Sequence, residues 1–199
     1  MKELVLVLIL SYLIGSISGS FILGKRVSHI DIRRYGSGNA GTTNALRVMG
    51  KKLALLTFII DFLKAVLALY LALRLVDKDQ VLIAGVGCVL GHDYPFYMNF
   101  KGGKGMASTA GILAVFDPPR GLVSILIGLG TAGLSRYVSL GSLLFLTSAW
   151  IQFMFFTDIS LFNQVCLSFL VVLGFFRHRS NIERLLAGKE NKLGGQGGN

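Results

Sequence analysis

Residues 36–44 combine three glycines with short polar side chains, and an arginine follows at position 47. Glycine tolerates positive φ, so successive backbone N–H groups can converge on one anion. Hydroxyl and amide side chains add neutral donors, and the planar guanidinium of Arg47 suits a phosphate group. The composition favours a phosphate-binding segment over a flexible linker. The residues expected to bind substrate are Ser37, Gly38, Asn39, Thr42, Thr43, Asn44 and Arg47.

A second polar segment, residues 91–105, begins with Gly-His-Asp and ends with the letters KGGKG directly before an apolar stretch. A helix that begins there would present free N–H groups and its positive dipole end beside two lysines. We therefore expect Gly102 and Gly103 to bind phosphate and Lys104 to act in catalysis. His92 either packs against a helix end or forms a catalytic pair with Asp93. A membrane-surface anchor with turn glycines is the alternative for the whole segment.

A third segment, residues 177–184, reads RHRSNIER after a long apolar stretch. His178, Asn181 and Glu183 fall within about one helical turn, where side chains three and four residues apart are neighbours. They are candidate catalytic groups, although the arginines alone are typical of a membrane anchor. Ser142, near the start of another apolar stretch, is a candidate substrate ligand, with helix packing through small residues as the alternative.

The composition requires a membrane. The chain has 199 residues, of which 53% are hydrophobic and only 15% charged, whereas soluble domains average about 25% charged. A chain of this size could not hide so much apolar surface from water. The net charge is +10, and the basic residues lie between long uncharged stretches of the chain. This distribution argues against a nucleic-acid partner, which would require a basic face on a soluble module. Cys88 and Cys166 lie in apolar stretches without metal-ligand spacing, and we expect them to be reduced core residues.

The apolar stretches predict an all-α membrane protein with seven transmembrane helices, three of them short. The long stretches are 4–24, 53–73, 137–157 and 159–176, and the short ones are 80–92, 105–116 and 121–135. Most Lys and Arg residues then fall on one side, so the positive-inside rule predicts an outside N-terminus and a cytoplasmic C-terminus. Asp61 and Lys64, three residues apart within a span, should pair with each other. We expect one domain over 1–193 and a flexible glycine-rich tail over 194–199.

Three segments together resemble one enzyme family. GSGNAGTTNALRVMGKK, GHDYPFYMNFKGGKG and RHRSNIERL are similar to the three cytoplasmic motifs of the bacterial acyl-phosphate:glycerol-3-phosphate acyltransferase family, PlsY. The resemblance extends over essentially the whole chain, including its size and seven-span layout. It implies transfer of a fatty acyl group from acyl phosphate to the 1-hydroxyl of glycerol 3-phosphate. The products would be lysophosphatidate and inorganic phosphate, in the first acylation step of phospholipid synthesis at the bacterial inner membrane.

The resemblance also implies partners. Acyl phosphate and glycerol 3-phosphate would be the substrates, the site would face the cytoplasm, and a soluble enzyme would supply the acyl phosphate. No cofactor or metal is expected. The base that takes the glycerol hydroxyl proton stays open among His178, His92, Asp93, Glu183 and the departing phosphate. A small organophosphate or anion permease without chemistry is the alternative function, and a structural membrane subunit is a third.

Overall fold

The computed structural model describes residues 1–194, which form nine α-helices and no β-strand. Apart from Gly194, the tail expected at 194–199 lies outside the described residues. The helices are α1 (Lys2–Ser16), α2 (Gly19–Arg26), α3 (Thr42–Ala72), α4 (Ile83–Asp93), α5 (Met106–Phe116), α6 (Pro118–Ser135), α7 (Val138–Phe155), α8 (Leu161–Arg177) and α9 (Arg179–Leu186).

Several of these helices suit a bilayer. In residues 1–194, four segments are long and apolar enough to cross it: Lys2–Arg26, Thr42–Ala72, Lys78–Met98 and Val138–Phe155. The pair α8 and α9, bent by 57°, makes a fifth if the two are one span. The seven predicted apolar stretches all correspond to helices, but α5 has only 11 residues. The all-helical membrane fold is therefore confirmed, with four to five helices that are long and apolar enough to cross a bilayer. The count of seven spans stays a prediction.

Two helices depart from their predicted bounds. The first apolar stretch is broken at Ile17, whose ψ of 111° is extended, and this break separates α1 from α2. The third helix begins at Thr42 instead of near residue 53, so Arg47 lies on a helical turn and not in a loop. Gly50, with φ of +82°, redirects the chain inside α3. A glycine at this point is favourable because other residues are strained at positive φ.

Glycines bring the helices close together. The backbone of α1 packs on α4, where a Cβ at Gly15 would collide with the Cys88 backbone and a Cβ at Gly91 with the Tyr12 carbonyl. In the same way α6 packs on α7 through Gly128 and Gly141. Small residues are typical of membrane helix interfaces because they allow close backbone approach. The buried cysteines Cys88 and Cys166 are free thiols, as predicted.

Candidate active site

A cavity of about 860 Å³ opens at the end of the bundle where α3, α5 and α7 begin. The N-terminus of the chain lies elsewhere, beside Arg74 and Gln80 near the far end of α3. All three polar segments line the cavity although they are far apart in sequence. The predicted residues on its wall are Ser37, Gly38, Asn39, Thr42, Thr43, Asn44, Arg47, His92, Gly102, Lys104, Ser142, His178 and Asn181.

Hydrogen bonds join the three segments. The Asn39 amide and the Ala40 backbone N–H both approach the Gly102 carbonyl at 3.4 Å. Arg177 donates to the Gly103 carbonyl from Nε at 3.2 Å and from Nη2 at 2.6 Å. Arg33 donates to the Met98 carbonyl at 2.6 Å while Asp31 fixes its guanidinium. That guanidinium holds the pKa of Asp31 at about 2. These hydrogen bonds hold the three segments together as one cavity wall.

Asn44 shapes the first segment from within. Its Oδ1 accepts from the Ser37 N–H at 2.8 Å, and its Nδ2 donates to the carbonyls of Tyr35 at 3.0 Å and Ile32 at 3.2 Å. Gly36, at φ of +59°, leaves no room for a Cβ beside the Asn44 side chain. Since these contacts use both ends of its buried amide, Asn44 holds the loop in place for the other donors.

The backbone N–H groups of Gly102 and Gly103 form hydrogen bonds within the protein, whereas we expected them to bind phosphate. The Gly102 N–H donates to the Asp93 carbonyl and the Gly103 N–H to the His92 carbonyl, each at 3.0 Å. Both amides thus satisfy the C-terminal end of α4, so they are not free to bind phosphate, and Gly103 does not line the cavity. This tertiary pairing cannot be read from the letters KGGKG.

Lys104 also lines the cavity, and its ammonium group donates a hydrogen bond to Asn181 Oδ1. Burial, followed by the positive charge of Arg184, lowers the pKa of Lys104 to about 8. Arg47, Arg177 and Arg184 also line the cavity. Removing an ammonium from water beside like charges disfavours its charged form. An anionic ligand in this cavity would compensate these charges.

Three helix N-termini supply further donors. The first residues of α3, α5 and α7, Thr42, Met106 and Val138, line the cavity, and no side chain caps these helices. Ser18, Asp117 and Ser160 cap α2, α6 and α8, whereas α1, α4 and α9 also have no side-chain cap. Uncapped helix N-termini carry free N–H groups and partial positive charge, which favour anions. Within residues 1–194, Thr42 Oγ1 and Ser139 Oγ are also buried without a hydrogen-bond partner, and both residues line the cavity.

The third segment has a different acid from the predicted one. Glu183 is exposed and does not line the cavity. Glu190 lies on the cavity wall instead, where Oε1 accepts from Asn181 Nδ2 and Oε2 from Arg184 Nε, both at 2.8 Å. Asn181 therefore bridges Lys104 and Glu190. Sequence reasoning missed Glu190 because it follows α9 without a recognisable spacing to the other polar groups.

His178 has a defined hydrogen-bonding state. Its Nδ1 lies 2.8 Å from the Gly174 carbonyl, which can only accept, so Nδ1 carries the proton. The neutral imidazole then presents an unprotonated Nε2, and His178 lines the cavity. Asp93, by contrast, is buried behind the wall and lies 3.6 Å from Arg177 Nε.

One part of the cavity is apolar, formed by side chains of α3, α5, α6 and α7: Phe58, Met106, Ala110, Ile125, Leu129 and Phe145. On α7 the lining residue Ser142 lies about one helical turn before the apolar lining residue Phe145. The cavity can thus hold a molecule that is anionic at one end and hydrocarbon at the other. In residues 1–194, no three His, Cys, Asp or Glu side chains are grouped to hold a metal ion.

Residues 5–188 match the family model described as "Glycerol-3-phosphate acyltransferase". A glycerol-3-phosphate acyltransferase of Thermoanaerobacter pseudethanolicus is 44% identical over 193 residues, covering 96% of both chains. One of Clostridioides difficile is 38% identical over 196 residues, covering 96% of this chain and 95% of the relative.

Two crystal structures of PlsY (YgiH), an integral membrane glycerol 3-phosphate acyltransferase, are also similar. Its glycerol 3-phosphate form gives a TM-score of 0.90 at 37% identity, covering 96% of each chain. Its lysophosphatidic acid form gives 0.88 at 36% identity, covering 96% of this chain and 95% of that one.

Proposed function

The chain belongs to the glycerol-3-phosphate acyltransferase family, and we propose that acyl phosphate is its acyl donor. The enzyme acylates glycerol 3-phosphate and is a multi-pass membrane protein. With an acyl phosphate donor the products are lysophosphatidate and inorganic phosphate. The observation that carries this proposal is the single cavity in which uncapped helix N-termini and cationic side chains meet an apolar arm.

The polar part of the cavity suits two phosphate groups. One set of donors is the 36–44 segment with the N-terminus of α3, and the other is Lys104 with the N-terminus of α5. We assign the acyl phosphate to Ser37, Gly38, Asn39, Thr42, Thr43 and Lys104. Arg47, His178, Asn181 and Ser142 hold glycerol 3-phosphate, while Asn44 and the backbone at Gly102 and Gly103 hold the segments in place.

The apolar arm suits the fatty chain of the donor. Its side chains lie between α3, α5, α6 and α7, next to Ser142 at the polar boundary. A long acyl chain placed in this arm leaves its phosphate among the donors and its carbonyl carbon at the boundary. Burial of each CH₂ contributes about 0.8 kcal/mol, which would anchor the donor without polar contacts to the chain.

Acyl transfer needs little activation, because phosphate is a good leaving group. The glycerol hydroxyl oxygen bonds to the acyl carbon, the bond from that carbon to the bridging oxygen breaks, and phosphate leaves with the electron pair. Lys104 and the free N–H groups stabilise the developing negative charge. The unprotonated Nε2 of His178 aligns the glycerol hydroxyl, takes its proton as the oxygen bonds to the acyl carbon, and passes that proton to the departing phosphate. Glu183 receives no role because it lies outside the cavity.

We also propose the finer topology. Seven spans in residues 1–193, an outside N-terminus and a cytoplasmic C-terminus would place the cavity at the cytoplasmic face of the bacterial inner membrane. The predominance of Lys and Arg in the segments at that end supports this orientation. There the cavity meets water-soluble glycerol 3-phosphate, and a soluble enzyme that makes acyl phosphate can deliver the donor from the same side.

A donor comparison tests the proposal. Purified protein in lipid is given labelled glycerol 3-phosphate with palmitoyl phosphate, palmitoyl-CoA or palmitoyl-carrier protein in parallel. We expect lysophosphatidate from palmitoyl phosphate alone. Product from the thioesters at a similar rate would contradict the assigned donor. No product from any donor, with the protein folded, would contradict acyl transfer and favour a permease, which a flux assay of the same vesicles would then detect.

A further inference from the structure

A buried charged cluster lies at the cavity wall, where Asp61 and His92 line the cavity and Lys64 lies behind them. It consists of Asp61 and Lys64 on α3 and His92 on α4, and all three side chains are at most 5% exposed. Lys64 Nζ lies 2.9 Å from Asp61 Oδ1, 2.9 Å from His92 Nδ1 and 2.5 Å from the Ile17 carbonyl. The predicted pairing of Asp61 with Lys64 is thus confirmed, and the pair extends to a residue of another helix.

The hydrogens of this cluster can be counted. A charged Lys64 has three N–H donors and no acceptor, and its neighbours are two oxygen acceptors and the Nδ1 atom of His92. His92 Nδ1 must then hold a lone pair, because a protonated Nδ1 would meet an ammonium proton. The charges of Asp61 and Lys64 balance each other, so a neutral His92 leaves the buried cluster neutral. The imidazole proton is consequently on Nε2, the opposite of the arrangement at His178.

The Nε2 edge of His92 is the edge turned away from Lys64. Nδ1 is directed at Lys64, and His92 lines the cavity. The backbone of Gly103 packs closely beside His92 Nε2, where a Cβ would collide with this atom, so a side chain at position 103 would displace the imidazole. Among residues 1–194, no hydrogen bond from the protein uses Nε2. Lys104, the residue after Gly103, lines the same cavity as His92.

We infer that Lys64 and Asp61 are positioning residues that fix His92 as a hydrogen-bond donor to a substrate phosphoryl oxygen through Nε2. His92 is therefore not the general base. This inference rests on the proposed function for the identity of the ligand, but the tautomer of His92 does not depend on it. Asp61 also accepts from the Gly19 N–H at 3.3 Å, so the pair supports the break between α1 and α2 as well.

Nitrogen-15 NMR of histidine-labelled protein in detergent tests the tautomer without turnover. The chain has only three histidines, and His29 is exposed, so each imidazole can be assigned by substitution. We expect a protonated Nε2 at His92 and a protonated Nδ1 at His178 in one spectrum. Inorganic phosphate should shift the His92 Nε2 signal and leave that of His29 unchanged. An unprotonated Nε2 at His92, or no shift at saturating phosphate, would overturn the inference.

Two substitutions of His92 distinguish loss of the hydrogen-bond donor at Nε2 from loss of the contact with Lys64. In His92→Asn the side-chain oxygen can still accept from Lys64, but the donor toward the cavity is lost. In His92→Gln the longer side chain can place an N–H near the Nε2 position. We expect kcat of His92→Asn to fall by about 10²–10³-fold, the usual effect of losing one such donor, and His92→Gln to retain most of it. The reverse order, or wild-type kcat in folded His92→Asn, would overturn the inference. A failed donor comparison would leave the NMR result unaffected.

Discussion

The alkaline limb of the pH profile should report the charge of Lys104. Burial and then Arg184 lower the pKa of Lys104 from 10.5 to about 8. A pKa shift of this size means that the cavity destabilises the ammonium form relative to the neutral amine by about 3 kcal/mol. Phosphate binding needs the ammonium, which predominates below pH 8 and is lost progressively as the pH rises above 8. We therefore expect kcat/KM to fall as pH rises through about 8.

The size of this loss follows from simple titration. About half of the enzyme carries the Lys104 ammonium at pH 8 and about one-tenth at pH 9, so kcat/KM should fall about tenfold per pH unit beyond that point. Bound phosphate favours the ammonium, so the corresponding limb in kcat should lie at higher pH.

Initial rates of lysophosphatidate formation from pH 6 to 10, corrected for spontaneous donor hydrolysis, give both limbs. Lys104→Arg is the matched variant, because arginine stays charged throughout this range. Its residual activity should show no alkaline limb between pH 7 and 9. Flat kcat/KM in the wild type up to pH 9.5, or an unchanged limb in Lys104→Arg, would refute the argument.

Three further substitutions test how the wall is built. Asn44→Ala removes three hydrogen bonds from the first segment and should lower the unfolding free energy by about 1–3 kcal/mol, measured by thermal unfolding in detergent; unchanged stability would contradict the role of Asn44. Glu190→Gln should weaken the contact with Arg184 and lower both stability and kcat, whereas Glu183→Gln at the exposed position should match the wild type; equal effects would contradict the assignment of Glu190. Arg47→Lys keeps the charge but loses the planar fork, so KM for glycerol 3-phosphate should rise about tenfold with little change in kcat, and an unchanged KM would remove Arg47 from the substrate site.

The sequence predicts the parts of this molecule that depend on local pattern. Uncharged stretches locate the helices because hydrocarbon excludes charge, and the i,i+3 spacing of Asp61 and Lys64 predicts their pairing. Groups of glycines and short polar residues predict which segments meet at the cavity. In these cases a residue and its near neighbours suffice for the argument.

Features that depend on contacts between distant segments could not be predicted. The amides of Gly102 and Gly103 are used by carbonyls of His92 and Asp93, which only the fold brings together. Glu190 reaches the cavity because the chain turns back after α9, and no spacing indicates this. The break at Ile17 lies inside an uninterrupted apolar stretch, where Lys64 from α3 supplies the donor that its carbonyl needs.

An isotope experiment tests the central claim most directly, that acyl phosphate donates its acyl group to the glycerol hydroxyl. The donor is palmitoyl phosphate with oxygen-18 at the atom between carbon and phosphorus, and the products are analysed by mass spectrometry. Attack at the acyl carbon predicts the label in inorganic phosphate, one equivalent for each lysophosphatidate formed, and none in the ester. Label retained in a fatty carboxylate, or phosphate released without matching lysophosphatidate, would contradict direct acyl transfer in this cavity.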